Sequence, residues 1–179
     1  MRSIAISAIG CSLLCFAAAA RAVPPNDVCN LPNDLQHEVA SRYPGSRVVN
    51  LPDLSEGDRK FFEAGHKSAC PGLVKVDFYG DGKPTLALVL VTKRGAKGNT
   101  QLVVAHEVGE KWRMTSLDTG GPSPYAPVVW SQPPGKYMDV YGNKTIRASR
   151  PVIVFCGYES WAILYAWTGK NVSKIWIMD

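Results

Sequence analysis

The chain has 179 residues, with 20 Lys and Arg against 15 Asp and Glu and a formal charge of +5 at pH 7. This mild basic excess contains no dense Lys/Arg cluster, so it supports neither a nucleic-acid stripe nor a polybasic membrane patch. The length suffices for one core and falls short of two ordinary domains.

The N-terminus carries Arg2, then an apolar run from Ile4 to Ala20, and ends in Ala20-Arg21-Ala22 before Val23. That small-x-small ending is what a signal peptidase accepts, so residues 1–22 are expected to be a removed signal peptide. Ser7 and Ser12 interrupt the run, which is shorter than the roughly 20 residues a spanning helix needs. No later run approaches that length. Residues 23–179 are therefore expected to form a single exported domain, periplasmic or extracellular, with no membrane span after signal removal.

Loss of Arg2 and Arg21 lowers the charge to +3, and loss of Cys11 and Cys15 leaves Cys29, Cys70 and Cys156. An oxidising compartment permits one disulfide among the three. Cys29 and Cys70 lie in irregular, Pro-flanked stretches, whereas Cys156 lies in an apolar strand-like run, so Cys29–Cys70 is the expected bridge. Closing that segment stabilises the fold by about 4 kcal/mol in the chain-entropy model.

After a Pro- and Asn-rich leader, Asn33 is placed to cap a helix whose Leu35, Val39 and Tyr43 recur every four residues, before Pro44-Gly45 stops it. A short strand is expected at Arg47–Leu51. Ser55 caps a second helix, with Asp58 three positions on, Phe61 and Phe62 as apolar anchors and Gly65 at its end.

From Leu73 onward the pattern has period two, with β-branched and aromatic residues between Gly, Asn and Pro turns. The expected strands are Leu73–Phe78, Thr85–Lys93, Thr100–Val108, Lys111–Leu117, Lys136–Tyr141, Pro151–Tyr158, Ser160–Trp167 and Val172–Met178. Short links between sequential strands imply antiparallel hairpins, because a parallel pair needs a long crossover. The expected fold is α+β, a mostly antiparallel β-meander with two N-terminal helices packed on one face or end.

Asp118–Gly135 departs from this compact wiring, since five prolines and three glycines bar a regular central strand. Loops this long are uncommon in compact domains unless they are functional or disordered. It is the expected binding surface, with Tyr125 and Trp130 as its anchors, because aromatic residues supply large contact area and proline limits the disorder that binding removes.

The segment Asp77-Phe-Tyr-Gly-Asp81-Gly82-Lys-Pro-Thr85 resembles one degenerate Asp-x-Asp-Gly loop of the FG-GAP/VCBS type. In such loops alternate carboxylates and a turn-making Gly surround Ca²⁺. Asp77 and Asp81 are the metal-ligand candidates the resemblance implies, while Tyr79 and Thr85 replace further oxygen ligands. Two carboxylates are few for an ion that takes six to eight oxygens, so an ordinary Asp-Gly turn without a cofactor is expected. The chain is similar to small exported bacterial proteins built around such a turn, which implies compartment and fold rather than activity.

His37, His66 and His106 lack metal-ligand spacing, and no G-x-S-x-G, Walker or G-x-G-x-x-G motif is present. His106 is expected to be a satisfied sheet residue, and His66 to close the second helix. Trp161, Ile163, Tyr165 and Trp167 share one face of a strand and are expected to be sheet core rather than a recognition stripe. No catalytic residue is assigned. The leading expectation is a non-enzymatic module binding an envelope or extracellular protein, of inhibitor or immunity type. The alternatives are a glycan or small-ligand binding domain, and an enzyme whose site assembles only in three dimensions.

Overall fold

The computed structural model describes residues 27–67, 69–92, 99–120, 125–158 and 160–178. The expected signal peptide, residues 1–22, lies outside the described residues, as do residues 121–124 of the Pro-rich segment.

Helix α1 spans Asn33–Arg42 and α2 spans Glu56–Gly65. Pro32, not Asn33, caps α1, and no side-chain capping bond forms there. Proline has a fixed φ and no N–H to leave unsatisfied, so it suits the chain's entry into a helix. Leu35 and Val39 are buried as their spacing requires. At α2 the predicted cap is present, Ser55 Oγ accepting the Asp58 N–H at 3.0 Å. Its two phenylalanines separate, with Phe62 buried and Phe61 57% exposed. Neighbouring helical residues point about 100° apart, so only one of such a pair reaches the core.

Among the described residues the strands form two sheets and a separate hairpin, and every pairing is antiparallel. The first sheet contains β1 (Ser46–Val48), β2 (Leu73–Val76), β3 (Thr85–Thr92), β4 (Thr100–Val108) and β5 (Lys111–Gly120). Both β1 and β2 pair with β3, β1 along Leu90–Thr92 and β2 along Thr85–Leu88. The second sheet runs β11 (Val172–Met178), β10 (Trp161–Trp167), β9 (Val152–Gly157), β6 (Val128–Gln132). The hairpin joins β7 (Gly135–Met138) to β8 (Thr145–Ala148).

Gly72 lies where β1 and β2 abut. A Cβ there would stand 2.5 and 2.6 Å from the Val49 carbonyl oxygen and nitrogen, so the junction admits no side chain. The chain is an α+β fold built on antiparallel meanders, as the short links implied.

Three apolar layers follow from the alternation of these strands. Between the sheets, Val76, Ala87, Val89 and Leu102 meet Ile153, Phe155, Ile163 and Tyr165, with Phe62 of α2 in the same cluster. On the outer face of the first sheet, Leu35 and Val39 of α1 cover Leu88, Leu90 and Val103. On the outer face of the second, Ile146 and Ala148 of the hairpin cover Val152, Val154 and Leu164. Full burial of one such side chain contributes about 1.5–3 kcal/mol. Tyr165 is core, and Trp161 and Trp167 pack against that core, as expected of their strand.

Candidate functional site

The outer face of the first sheet is longer than α1. Val28, Asn30, Pro32 and Asp34 border its uncovered end, where an open cleft of about 710 Å³ lies. Leu73, Leu86 and Trp112 are among its apolar lining, while Asp34, Lys75 and Glu107 supply charge. Register explains the grouping: Lys75 pairs with Leu86 and Glu107 with Trp112, so strands β2 to β5 present these side chains on one face.

Two links hold the wall formed by residues 27–34. The short 3-10 turn Asp27–Cys29 is bridged to Cys70 by the predicted disulfide. Trp112 Nε1 donates to Asp34 Oδ2 at 2.6 Å, tying the first turn of α1 to β5. That hydrogen bond is the main reason the Asp34 carboxyl is held below the usual carboxylate range. Comparison of the chain with family models, curated proteins and solved structures finds no match.

The Pro-rich segment divides. Asp118 to Gly120 complete β5, and Val128–Gln132 form β6, an edge strand of the second sheet and not one expected from the sequence. Trp130 is half-buried, its ring 5.0 Å from His66 and stacked at 6.5 Å on Tyr158. Tyr125 is 53% exposed. The two expected anchors thus stand in different environments, one within a ring stack and one at the surface. His66 does close α2 through its backbone, donating to the Phe62 carbonyl at 2.7 Å, while burial pushes its imidazole pKa down.

In the Asp-x-Asp-Gly loop, Asp77 Oδ1 accepts the Gly80 N–H at 2.8 Å and Asp81 Oδ1 accepts the Lys83 N–H at 3.1 Å. Each carboxylate thus spends an oxygen on shaping its own turn. Asp81 Oδ2 lies 3.0 Å from His106 Nε2, and His106 Nδ1 lies 3.1 Å from Thr85 Oγ1. A carboxylate accepts only, so Nε2 carries a proton and, in the neutral ring, Nδ1 accepts from the Thr85 hydroxyl. The Lys83 amide, with His106 beside it, holds Asp81 below the ordinary carboxylate range. The acid–histidine–hydroxyl set resembles a nucleophilic relay only in composition, because Thr85 is fully buried. Cys156 is buried too, and burial, with a smaller contribution from Asp58, pushes its thiol up to about 12.

Proposed function

We propose that the chain is an exported, non-catalytic binding protein whose ligand site is the open cleft bordered by residues 28–34, and that it takes a small amphipathic molecule. The observation that carries this reading is a cleft of about 710 Å³ whose wall is pinned by Cys29–Cys70 and by Trp112–Asp34. Small-ligand sites commonly enclose about 300–1,000 Å³, with a mostly apolar lining and a few placed polar groups. A wall held in place before binding reduces the ordering cost that binding must meet. Lys75 suits an anionic end and Glu107 a cationic one, while Leu73, Leu86 and Trp112 suit an apolar body. The disulfide supports an oxidising compartment. The groups that resemble nucleophiles are consumed structurally, Thr85 and Cys156 both being buried.

The test uses decanoate, decylamine and an anionic naphthalene dye, followed by quenching of tryptophan fluorescence. Saturable binding of at least one probe is expected, that of the anions weakened by Lys75→Ala and all of it abolished by Leu73→Trp, which fills the cleft, with melting temperature retained. Absence of binding by all three probes, or undiminished binding to Leu73→Trp, would sink the reading. A second reading, recognition of an envelope protein, is favoured by the exposed rings of Tyr125 and Phe61. Capture of a partner lost on Tyr125→Ala but unaffected by Leu73→Trp would favour it over the cavity.

A further inference from the structure

The β7–β8 hairpin lays Ile146 and Ala148 on the second sheet, which turns the opposite face of the hairpin away from the protein. On that face Lys136 and Arg147 stand directly opposite one another, as do Met138 and Thr145. All four are exposed. Like charges facing each other across a strand pair repel. Among the described residues, the carboxylates that pair with cations are Glu38, Asp53, Glu56, Asp81 and Asp118, none of them with Lys136 or Arg147. Asp139, the carboxylate nearest in sequence, is engaged in the turn, its Oδ1 accepting the Lys144 N–H at 2.9 Å.

The same region gathers exposed apolar side chains. Met138, Val140 and Tyr141, on the hairpin and its tip, are three of the nine large hydrophobic residues exposed among the described residues; Trp176 of the edge strand β11 is exposed too, but it pairs with Ile163 of the inter-sheet core and so points to the opposite face of the second sheet. The tip is joined to that edge: the Val140 N–H donates to the Trp176 carbonyl at 2.8 Å and Lys144 Nζ to the Lys174 carbonyl at 2.9 Å. These bonds occupy the edge carbonyls that strand addition would need, so recognition there falls to side chains.

We infer that the outer face and tip of the β7–β8 hairpin form a docking surface for an anionic phospholipid membrane. Residues 140–145 are exposed without interruption, so the apolar side chains of the tip are presented at the surface although its backbone is held against β11. A fluid interface accepts such a tip to a depth of about 5–10 Å, whereas a protein would need a matching hollow. Tyrosine favours the headgroup level, and phosphates relieve the repulsion between Lys136 and Arg147. This surface lies on the second sheet, apart from the cavity on the first, and does not rest on the ligand reading.

The experiment is co-sedimentation of the protein with vesicles of phosphatidylcholine alone and of phosphatidylcholine mixed with phosphatidylglycerol. Retention is expected on the mixed vesicles, falling as salt screens the attraction. Lys136→Glu with Arg147→Glu should weaken it about tenfold or more, since each cation near an anionic surface contributes a several-fold factor. Met138→Ser with Val140→Ser should weaken it several-fold, with melting unchanged. If the charge-reversed pair melts early, Lys136→Gln with Arg147→Gln replaces it and should still lose several-fold. No retention, equal retention on phosphatidylcholine alone, or retention indifferent to the cations overturns the inference. Binding of polyglutamate through the same two cations, without vesicle binding, assigns the face to an acidic protein and overturns it equally.

Discussion

Asp118 lies one residue past the expected end of its strand, with its carboxylate between two groups of the second sheet. Tyr165 donates its hydroxyl to Oδ2, and Lys174 Nζ lies 3.1 Å from the same oxygen. Burial alone would raise the Asp118 pKa, but the Tyr165 hydrogen bond and Lys174 outweigh it and hold the carboxyl below its ordinary value. Burial, and then the neighbouring carboxylate, pushes the Tyr165 hydroxyl upward. A depressed carboxyl pKa stabilises the folded state above the unfolded value and loses that contribution as pH falls through the folded value. Asp118→Asn should therefore cost about 1.5–3 kcal/mol at neutral pH, the range for a hydrogen bond to a charged group. The gap to the parent protein should narrow below about pH 4, where the carboxylate of the unfolded chain takes up a proton before the folded one does. Urea melts of both proteins across that range measure it, and a gap that stays constant in acid would refute the assignment. Cys156 offers a simpler check. With its thiol pushed up to about 12 and its side chain buried, it should resist alkylation in the native protein at mildly basic pH and react fully in denaturant.

Among the elements, β1 and β2 meet end to end against β3, and Gly72 makes that junction possible. Gly72→Ala should cost about 1–3 kcal/mol or more, because the contacted atoms are backbone and cannot rotate away. Chemical denaturation measures this directly, and a neutral result would mean that the junction opens. The strand β6 supplies a second contrast. Trp130→Ala removes a ring that contacts both His66 and Tyr158 and should lower stability by about 2–3 kcal/mol, below the cost for a fully buried ring. Tyr125→Ala, at the surface, should stay within about 0.5 kcal/mol. Comparable losses from both would show that Tyr125 is structural. That β6 went unread in the sequence has a physical explanation. Pro127 and Pro133 flank it and give the whole segment the look of a loop, but an edge strand tolerates proline at its ends where a central one does not.

For the molecule as a whole, Cys29–Cys70 couples stability to the candidate site, since it closes a 41-residue span and anchors the wall of the cavity. Reduction should lower stability by about 4 kcal/mol in the chain-entropy model and weaken ligand binding in parallel. Calorimetry with and without reductant tests the first part, and probe binding to the reduced protein the second. The helices, most strands, their antiparallel links and the pairing of Cys29 with Cys70 were legible in the chain, because each follows from local periodicity, turn chemistry or the flanks of a residue. The cavity, the Asp81–His106–Thr85 set and the opposition of Lys136 and Arg147 were not. Those join residues through strand register and through the part of a sheet that α1 leaves uncovered. Register and coverage depend on how whole elements pack against one another, which no local pattern encodes, so these features exist only once the sheets have assembled.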